Sequence, residues 1–293
     1  MAGRFGSVVT AMVTPFREDH ALDLDRAQEL ASWLVGNGSD SVVVAGSTGE
    51  SPTVTHKEKA DLFRAVGEAI TGTGKLICGT GTYSTAETLA LTQAAEDAGA
   101  DGILVVTPYY NKPPQRGLIA HFEHVADATD LPIIAYNIPG RTATRIEHDT
   151  LLRLAERANI VAVKDSTGDF QGISRLMAEA PDFEVYSGDD WAAFPSAMLG
   201  AAGVVSVASH LVGERIKEML ELAFAGDPSG GRKIHEDLLP IFKGLFVTSN
   251  PIPVKAALEI AGRPAGPPRL PLVPATPEER QVIEQAMRDV GAL

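Results

Sequence analysis

One cysteine, Cys78, stands alone in a chain of 293 residues, so no internal disulfide can form and a reducing compartment suits it. Positive charge is also scarce. Twenty-five lysines and arginines face 38 aspartates and glutamates, a formal net charge of −13 that argues against nucleic acid, whose phosphates require a basic face. A small anionic substrate stays compatible, because a basic pocket can sit inside an acidic protein. Long hydrophobic runs are missing as well: Ser41–Ala45 and Ile103–Val106 are far too short to span a bilayer. The start, Met1-Ala-Gly-Arg-Phe5, lacks the apolar core of a secretory signal. These absences together point to a cytoplasmic protein without a membrane partner. No low-complexity tract appears either, since the 28 glycines and 19 prolines are dispersed as punctuation.

What is present is a repeated alternation. Eight short, nearly continuous apolar runs, Val8–Thr14, Ser41–Ala45, Lys75–Gly79, Gly102–Thr107, Pro132–Asn137, Ile160–Lys164, Phe183–Ser187 and Val204–Ala208, suit parallel strands covered on both faces. Helical patterns lie between them, for example Leu24–Val35, Lys57–Ile70 and Glu87–Ala98. In the second of these Leu62, Phe63, Val66 and Ile70 form one apolar stripe. Eight strand-then-helix units predict an α/β fold of the closed (β/α)8 TIM-barrel type over residues 1–225, with a doubly wound open sheet as the alternative that periodicity leaves open. After Ala223 the pattern changes. Gly226–Gly231 reads as a turn-rich break, and Lys233–Phe246, Pro253–Ala261 and Pro277–Val290 read as helices with no strand between them, so residues 226–293 are expected to form a C-terminal helical extension. Pro264 to Pro277 holds six of the nineteen prolines and reads as an ordered surface connection.

In such barrels the active site lies at the C-terminal ends of the strands, and that is where this chain keeps its reactive side chains. Ile160-Val-Ala-Val-Lys164 ends a strand on a lysine. An ammonium is costly to bury there, and the neutral amine is the form that attacks a ketone to give a Schiff base. A simple ion pair with Asp165 or another carboxylate explains the same run equally well. Tyr136 ends the preceding strand, where a phenol can move protons as a carbinolamine becomes an imine, or merely be a buried aromatic with a satisfied hydroxyl. Gly46-Ser47-Thr48-Gly49-Glu50 ends the second strand with two hydroxyls flanked by glycines, a loop able to form an anion-binding nest though most such loops are turns. Thr107-Pro-Tyr109-Tyr110 follows the fourth.

From about Gly6 onward the chain resembles the dihydrodipicolinate synthase and N-acetylneuraminate lyase family of pyruvate-handling barrels. The resemblance rests on Val13-Thr-Pro-Phe16, Gly46–Glu50, Thr107–Tyr110, Tyr136-Asn-Ile-Pro139, Val163-Lys-Asp-Ser166, Ser187-Gly-Asp-Asp190 and Asn250-Pro-Ile-Pro-Val-Lys255. It implies Lys164 as the Schiff-base lysine, Tyr136 as the proton donor and acceptor beside it, and Ser47 and Tyr110 as the rest of a hydroxyl relay. Tyr110 comes from a neighbouring subunit in the family, which implies a homodimer or homotetramer. Thr48 and its loop backbone, Gly188 and the main chain of Val205 match positions that hold pyruvate. Arg141 matches the guanidinium that grips the carboxylate of L-aspartate 4-semialdehyde, a task suited to a bidentate fork. The implied reaction joins pyruvate to that aldehyde in lysine and diaminopimelate synthesis, with neither a metal nor a nucleotide cofactor, because the lysine itself is the organic catalyst. Serine at position 47 is the lyase-like form of the loop, whereas Arg141, the Thr-Pro-Tyr-Tyr context and Asn250–Lys255 favour the synthase branch over a sialic acid lyase or another pyruvate-forming aldolase. His56, Glu87 and Tyr109 match a lysine-effector site at the dimer interface, where Lys59 replaces the histidine common in inhibited enzymes; a second cation there implies weak or absent feedback inhibition.

Other residues read more blandly. Cys78 is expected to be a buried structural thiol. His121 and His124, three apart on a helix, lack a third metal-ligand motif, so a packed or solvated face is the better reading. Asp189 and Asp190 suit strand-end hydrogen bonding, Glu50 suits holding its own loop, and Trp33 and Trp191 suit packing. A non-catalytic sensor or scaffold would have no reason to keep Lys164, Tyr136, Ser47 and Tyr110 together.

Overall fold

The computed structural model describes all 293 residues, Met1 to Leu293. Eight strands, β1 (Val8–Ala11), β2 (Ser41–Val44), β3 (Lys75–Gly79), β4 (Gly102–Val106), β5 (Ile133–Asn137), β6 (Ile160–Asp165), β7 (Glu184–Ser187) and β8 (Gly203–Ser206), pair in parallel and in sequence order. β1 also pairs with β8, through Val9 opposite Val205, and closes the barrel. An open doubly wound sheet is thereby excluded. The helices between strands are α1 (Leu24–Gly36), α2 (His56–Ile70), α3 (Thr85–Asp97), α4 (Gln115–Asp127), the short α5 (Pro139–Thr142), α6 (His148–Ala155), α7 (Phe170–Glu179) and α8 (Ala193–Leu199). After β8 come α9 (Ser209–Phe224), α10 (Pro228–Gly244), α11 (Ile252–Ile260) and α12 (Pro277–Asp289). None of them is long and apolar enough to cross a membrane.

Two cores explain the apolar pattern of the strands. The barrel interior is filled by Val9, Ala11, Val43, Ile77, Leu104, Ile134, Tyr136, Ala162 and Val205, with Phe5 and Tyr186 beneath them. Phe5 plugs the N-terminal end: its ring lies 6.4 Å from that of Tyr186, and its backbone N–H donates to the Tyr186 hydroxyl at 3.1 Å. The opposite strand faces meet the helices in a larger core, to which Leu238, Ile241, Leu258, Ile283 and Met287 of α10–α12 also belong. Side chains on a strand alternate between the two cores, so Lys164, two residues after the inward Ala162, faces the barrel axis at its C-terminal mouth.

Several expected boundaries move. β1 stops at Ala11, β2 at Val44, β4 at Val106 and β8 at Ser206, one to three residues short of the apolar run, because the last residues curl into the loops that build the mouth. The expected break at Gly226–Gly231 is mostly helix. Asp227 caps α10 by accepting the Gly230 N–H at 3.0 Å, Pro228 occupies the first turn, and a Cβ at Gly231 would lie 2.8 Å from the Phe194 ring, so that glycine marks close packing rather than a turn.

The extension reaches back across the barrel mouth through a buried ion pair. Glu50 follows the β2 loop in a left-handed conformation (φ 55°), and its Oε1 lies 2.6 Å from Lys255 Nζ of α11. Its other oxygen accepts the Arg269 backbone N–H at 2.8 Å. Arg269 in turn grips Glu58 of α2 and donates to the Thr53 carbonyl at 2.7 Å, which drives the Glu58 carboxyl down to about 2. Burial pushes the Lys255 ammonium down against the pull of Glu50. Glu50 therefore holds its loop, but by fastening it to the C-terminal helices. Removing one member strands a buried charge, so Lys255→Met should cost about 3–5 kcal/mol in urea unfolding, and the double variant Glu50→Gln/Lys255→Met should recover most of that loss. Additive losses in the double variant would contradict a coupled pair.

Candidate active site

Lys164 is 5% exposed and stands on β6 directly opposite Tyr136 of β5 in the strand register. Its Nζ lies 4.1 Å from the centre of the Tyr136 ring. Three lysines are buried, Lys59, Lys164 and Lys255, and only Lys255 sits within salt-bridge distance of a carboxylate. The backbone makes this closeness possible. Gly188 donates its N–H to the Asp165 carbonyl at 2.7 Å, and a Cβ at that position would lie 3.1 Å from Lys164 Cε. Carboxyl groups surround the amine without pairing to it. Asp190 is fully buried and committed elsewhere, accepting from Ser206 Oγ at 2.5 Å, Val207 N at 3.1 Å and Ala208 N at 2.9 Å, which makes it a brace between the ends of β7 and β8. Burial raises Asp165 and pushes Asp189 up to about 6, the Lys164 charge acting on Asp189 in the opposite sense.

A cavity of about 320 Å³ opens above the strand ends, the size of a small-ligand site. Ser47, Tyr109, Tyr136 and Arg141 line it. Lys164, Thr48, Gly188 and Val205 stand immediately behind that lining: Lys164 against Tyr136, Gly188 against Lys164, Thr48 within the Ser47 loop, and Val205 in the barrel interior with Tyr136. The β2 loop is shaped by left-handed residues at both ends, Ala45 (φ 54°) and Glu50, and by bonds from Glu50 N to Ser47 O and from Ser51 N to Gly46 O. The Ser47 and Thr48 amides donate to no protein acceptor, which leaves two adjacent N–H groups for an anion.

Asn250 is the residue that sequence reasoning passed over. It lies between α10 and α11, lines the cavity, donates its side-chain N–H to Thr48 Oγ1 at 2.9 Å, and accepts the Arg141 Nη2–H on its main-chain carbonyl at 3.1 Å. Its only sequence signal was membership of the Asn250–Lys255 segment, since 202 positions separate it from Thr48.

Tyr110 is the one expected relay member that the fold does not bring to this cavity. The residue is 93% exposed, on a backbone turned left-handed (φ 73°), and is absent from the lining of the chain's own cavity. Tyr109 faces the cavity instead, packed edge-on against Tyr83 at 5.5 Å. The other expected effector residues gather near it. His56 Nε2 is 3.9 Å from Glu87 Oε2, and the buried Lys59 ammonium is pushed down to about 8 by desolvation while Glu87 pulls it up.

Cys78 is buried, with its thiol raised well above the usual range by desolvation. His121 is packed and pairs its Nδ1 with Thr85 Oγ1 at 2.9 Å. Trp191 departs from expectation: it sits in the short turn Asp190–Ala192, is 48% exposed, and meets Phe170 edge-on.

Residues 4–290 match the model of the Dihydrodipicolinate synthetase family. The chain is 51% identical, over 99% of its own length and 100% of the relative's, to a 4-hydroxy-tetrahydrodipicolinate synthase of Moorella thermoacetica. It is 51% identical to the corresponding synthase of Acidothermus cellulolyticus, over 98% of this chain and 93% of that one. Among solved structures it is similar to dihydrodipicolinate synthase from Cyanidioschyzon merolae with lysine bound (46% identity, TM-score 0.97, 99% of both chains). It is similar too to the chloride-inhibited enzyme from Acinetobacter baumannii complexed with pyruvate (38% identity, TM-score 0.96, 99% of this chain and 100% of that one).

The elevated Asp189 carboxyl has a consequence for stability. Between about pH 4, where an unfolded aspartate ionises, and about 6, the folded chain holds a proton that the unfolded chain has lost. The group therefore weakens folding progressively as pH rises through that window, and the loss is complete above it. Asp189→Asn should be more stable than the parent in urea unfolding near neutrality and no more stable below about pH 4. An equal gain at both values would contradict the assignment.

Proposed function

The chain belongs to the dihydrodipicolinate synthetase family, and on that premise we propose that Lys164 is the amine through which it condenses pyruvate with L-aspartate 4-semialdehyde to 4-hydroxy-tetrahydrodipicolinate. The observation that carries the assignment is a buried lysine in no ion pair, 4.1 Å from the ring of a tyrosine that lines the cavity. The neutral amine attacks the keto carbon of pyruvate, and the Tyr136 hydroxyl hands a proton to the departing hydroxyl as water leaves and the imine forms. Loss of a methyl proton gives the enamine, whose carbon attacks the aldehyde. The amino group of the second substrate then adds to the imine carbon, expels the Lys164 amine and closes the ring.

The remaining residues position these steps. The free Ser47 and Thr48 amides hold the pyruvate carboxylate, with the main chain beside Gly188 and Val205 closing the other side, and Arg141 takes the carboxylate of the semialdehyde. The Ser47 hydroxyl, with Tyr136 and a second tyrosine, passes protons toward solvent; serine in place of threonine keeps the hydroxyl and loses only a methyl. That second tyrosine is Tyr110 of a neighbouring copy, which is why the exposed residue is absent from the lining of its own cavity, and the working unit is a homodimer or homotetramer in the cytoplasm. Lysine regulates weakly or not at all, because the buried Lys59 already supplies a cation facing Glu87.

Borohydride added with pyruvate should leave a reduced adduct on the peptide containing Lys164, and Lys164→Ala should lose both the adduct and turnover; an adduct on another lysine would overturn the assignment. Tyr136→Phe should lower kcat by roughly 10²–10⁴. Arg141→Ala should raise KM for the semialdehyde about 10–100-fold while sparing the pyruvate adduct. Lysine at millimolar concentration should leave the rate largely intact, whereas sub-millimolar inhibition would refute the role given to Lys59.

A further inference from the structure

We infer that Ser166 is a further residue of the imine chemistry, its hydroxyl accepting the single N–H that the Lys164 nitrogen keeps once it is bonded to pyruvate; this rests on the synthase reading above and adds to it the group that holds the nitrogen. Ser166 follows the Lys164–Asp165 end of β6, and the condensation as drawn from Lys164 and Tyr136 leaves it unused. Its backbone N–H continues the β5–β6 ladder by donating to the Asn137 carbonyl at 2.9 Å. Its Oγ is buried and has no hydrogen-bond partner. Orphans of this kind are rare, because a buried hydroxyl that has given up water for nothing is destabilising. This one calls for a group that the polypeptide alone does not supply.

The local geometry identifies that group. A Cβ at Gly188 would lie 2.0 Å from Ser166 Oγ and 3.1 Å from Lys164 Cε, so the hydroxyl and the end of the lysine stem border one small space that a glycine leaves open. β5 and β7 flank β6 on opposite sides, which puts Tyr136 on one side of the amine and this space on the other. The chemistry divides along the same line. Attack of the neutral amine forms the N–C bond, leaving two N–H bonds on a positive nitrogen and a negative charge on oxygen. Tyr136 protonates that oxygen, regains one proton from the nitrogen, and then protonates the hydroxyl as water leaves. The phenolate so formed takes the methyl proton when the enamine appears. One N–H therefore stays on the nitrogen from carbinolamine through imine to enamine, while Tyr136 is engaged with oxygen and carbon. Other acceptors nearby are committed. Asp190 holds Ser206 and two backbone amides, Asp165 Oδ1 holds Thr167, and Ser187 Oγ is engaged with the Asp189 main chain. Asp189 itself stays beyond salt-bridge distance of the amine. Ser166 Oγ is the free acceptor on the side away from Tyr136.

Pyruvate alone holds the enzyme as the imine, and with a heavy-carbon label at the keto position its C=N stretch can be read in the infrared. The shift of that stretch on transfer to heavy water grows with the strength of the hydrogen bond from N–H. Ser166→Ala should shrink the shift and slow imine formation, followed by borohydride quenching, about 10–100-fold, while KM for the semialdehyde stays within about twofold. Ser166→Thr keeps the hydroxyl and should restore both. Because the hydroxyl has no partner in the polypeptide, Ser166→Ala should also be no less stable than the parent in urea unfolding. A variant that is destabilised or fails to fold would reveal a structural partner and overturn the inference. An unchanged shift in Ser166→Ala would overturn it too, as would a shift lost in Asp189→Asn and kept in Ser166→Ala, which would assign the N–H to Asp189. A borohydride adduct missing from the unaltered protein sinks the synthase reading and this inference together, whereas an adduct formed equally fast by parent and Ser166→Ala sinks the role of Ser166 alone.

Discussion

A primary amine kept dry and out of any ion pair at the mouth of a closed barrel is the constraint on which the rest of this structure depends. Desolvating such a group is unfavourable, and a nearby carboxylate is the usual remedy. The fold supplies carboxylates but withholds contact. Asp190 is occupied by Ser206 and two backbone amides, and Asp165 by the Thr167 amide and hydroxyl. Lys164 is left against an aromatic face. Lys255 shows the contrary solution in the same chain: equally buried, it lies 2.6 Å from Glu50 and serves as a fastening. One lysine is structural because it is paired, and the other is suited to chemistry because it is not.

The C-terminal helices are part of this arrangement rather than an appendage to it. Asn250 ties the Thr48 loop to the Arg141 side of the cavity, while Lys255 and Arg269 tie the end of that loop to α11 and to the proline-rich connection. The β2-loop side and the Arg141 side of the cavity are therefore bridged by Asn250. Holding two reactants in near-attack geometry is one of the largest contributions a protein makes to a bimolecular step, and it needs this kind of rigid cross-brace.

The barrel was legible because its signal is local. Buried parallel strands read as apolar runs, and the rule that reactive groups cluster at their C-terminal ends led directly to Lys164, Tyr136 and Ser47. What sequence reasoning missed is non-local or conformational. Nothing in the chain announces that Asn250 will meet Thr48, or that Lys255 will meet Glu50. The glycines after Asp227 read as a turn because composition does not reveal that Gly231 is pressed against Phe194. Trp191 was expected to pack and is half exposed, in the short turn Asp190–Ala192. Tyr110 was placed by resemblance in the relay of a neighbouring subunit, so its exposure on its own chain is no departure from that reading.

One bond decides the chemistry, from the Lys164 nitrogen to a keto carbon, and a crystal of the protein soaked in pyruvate would reveal it. Continuous density should run from Nζ to the second carbon of pyruvate, with the carboxylate on the Ser47 and Thr48 amides and the Tyr136 hydroxyl within hydrogen-bond reach. Pyruvate bound without a covalent link while Lys164 turns to Asp189, or density joined to a different lysine, would contradict it.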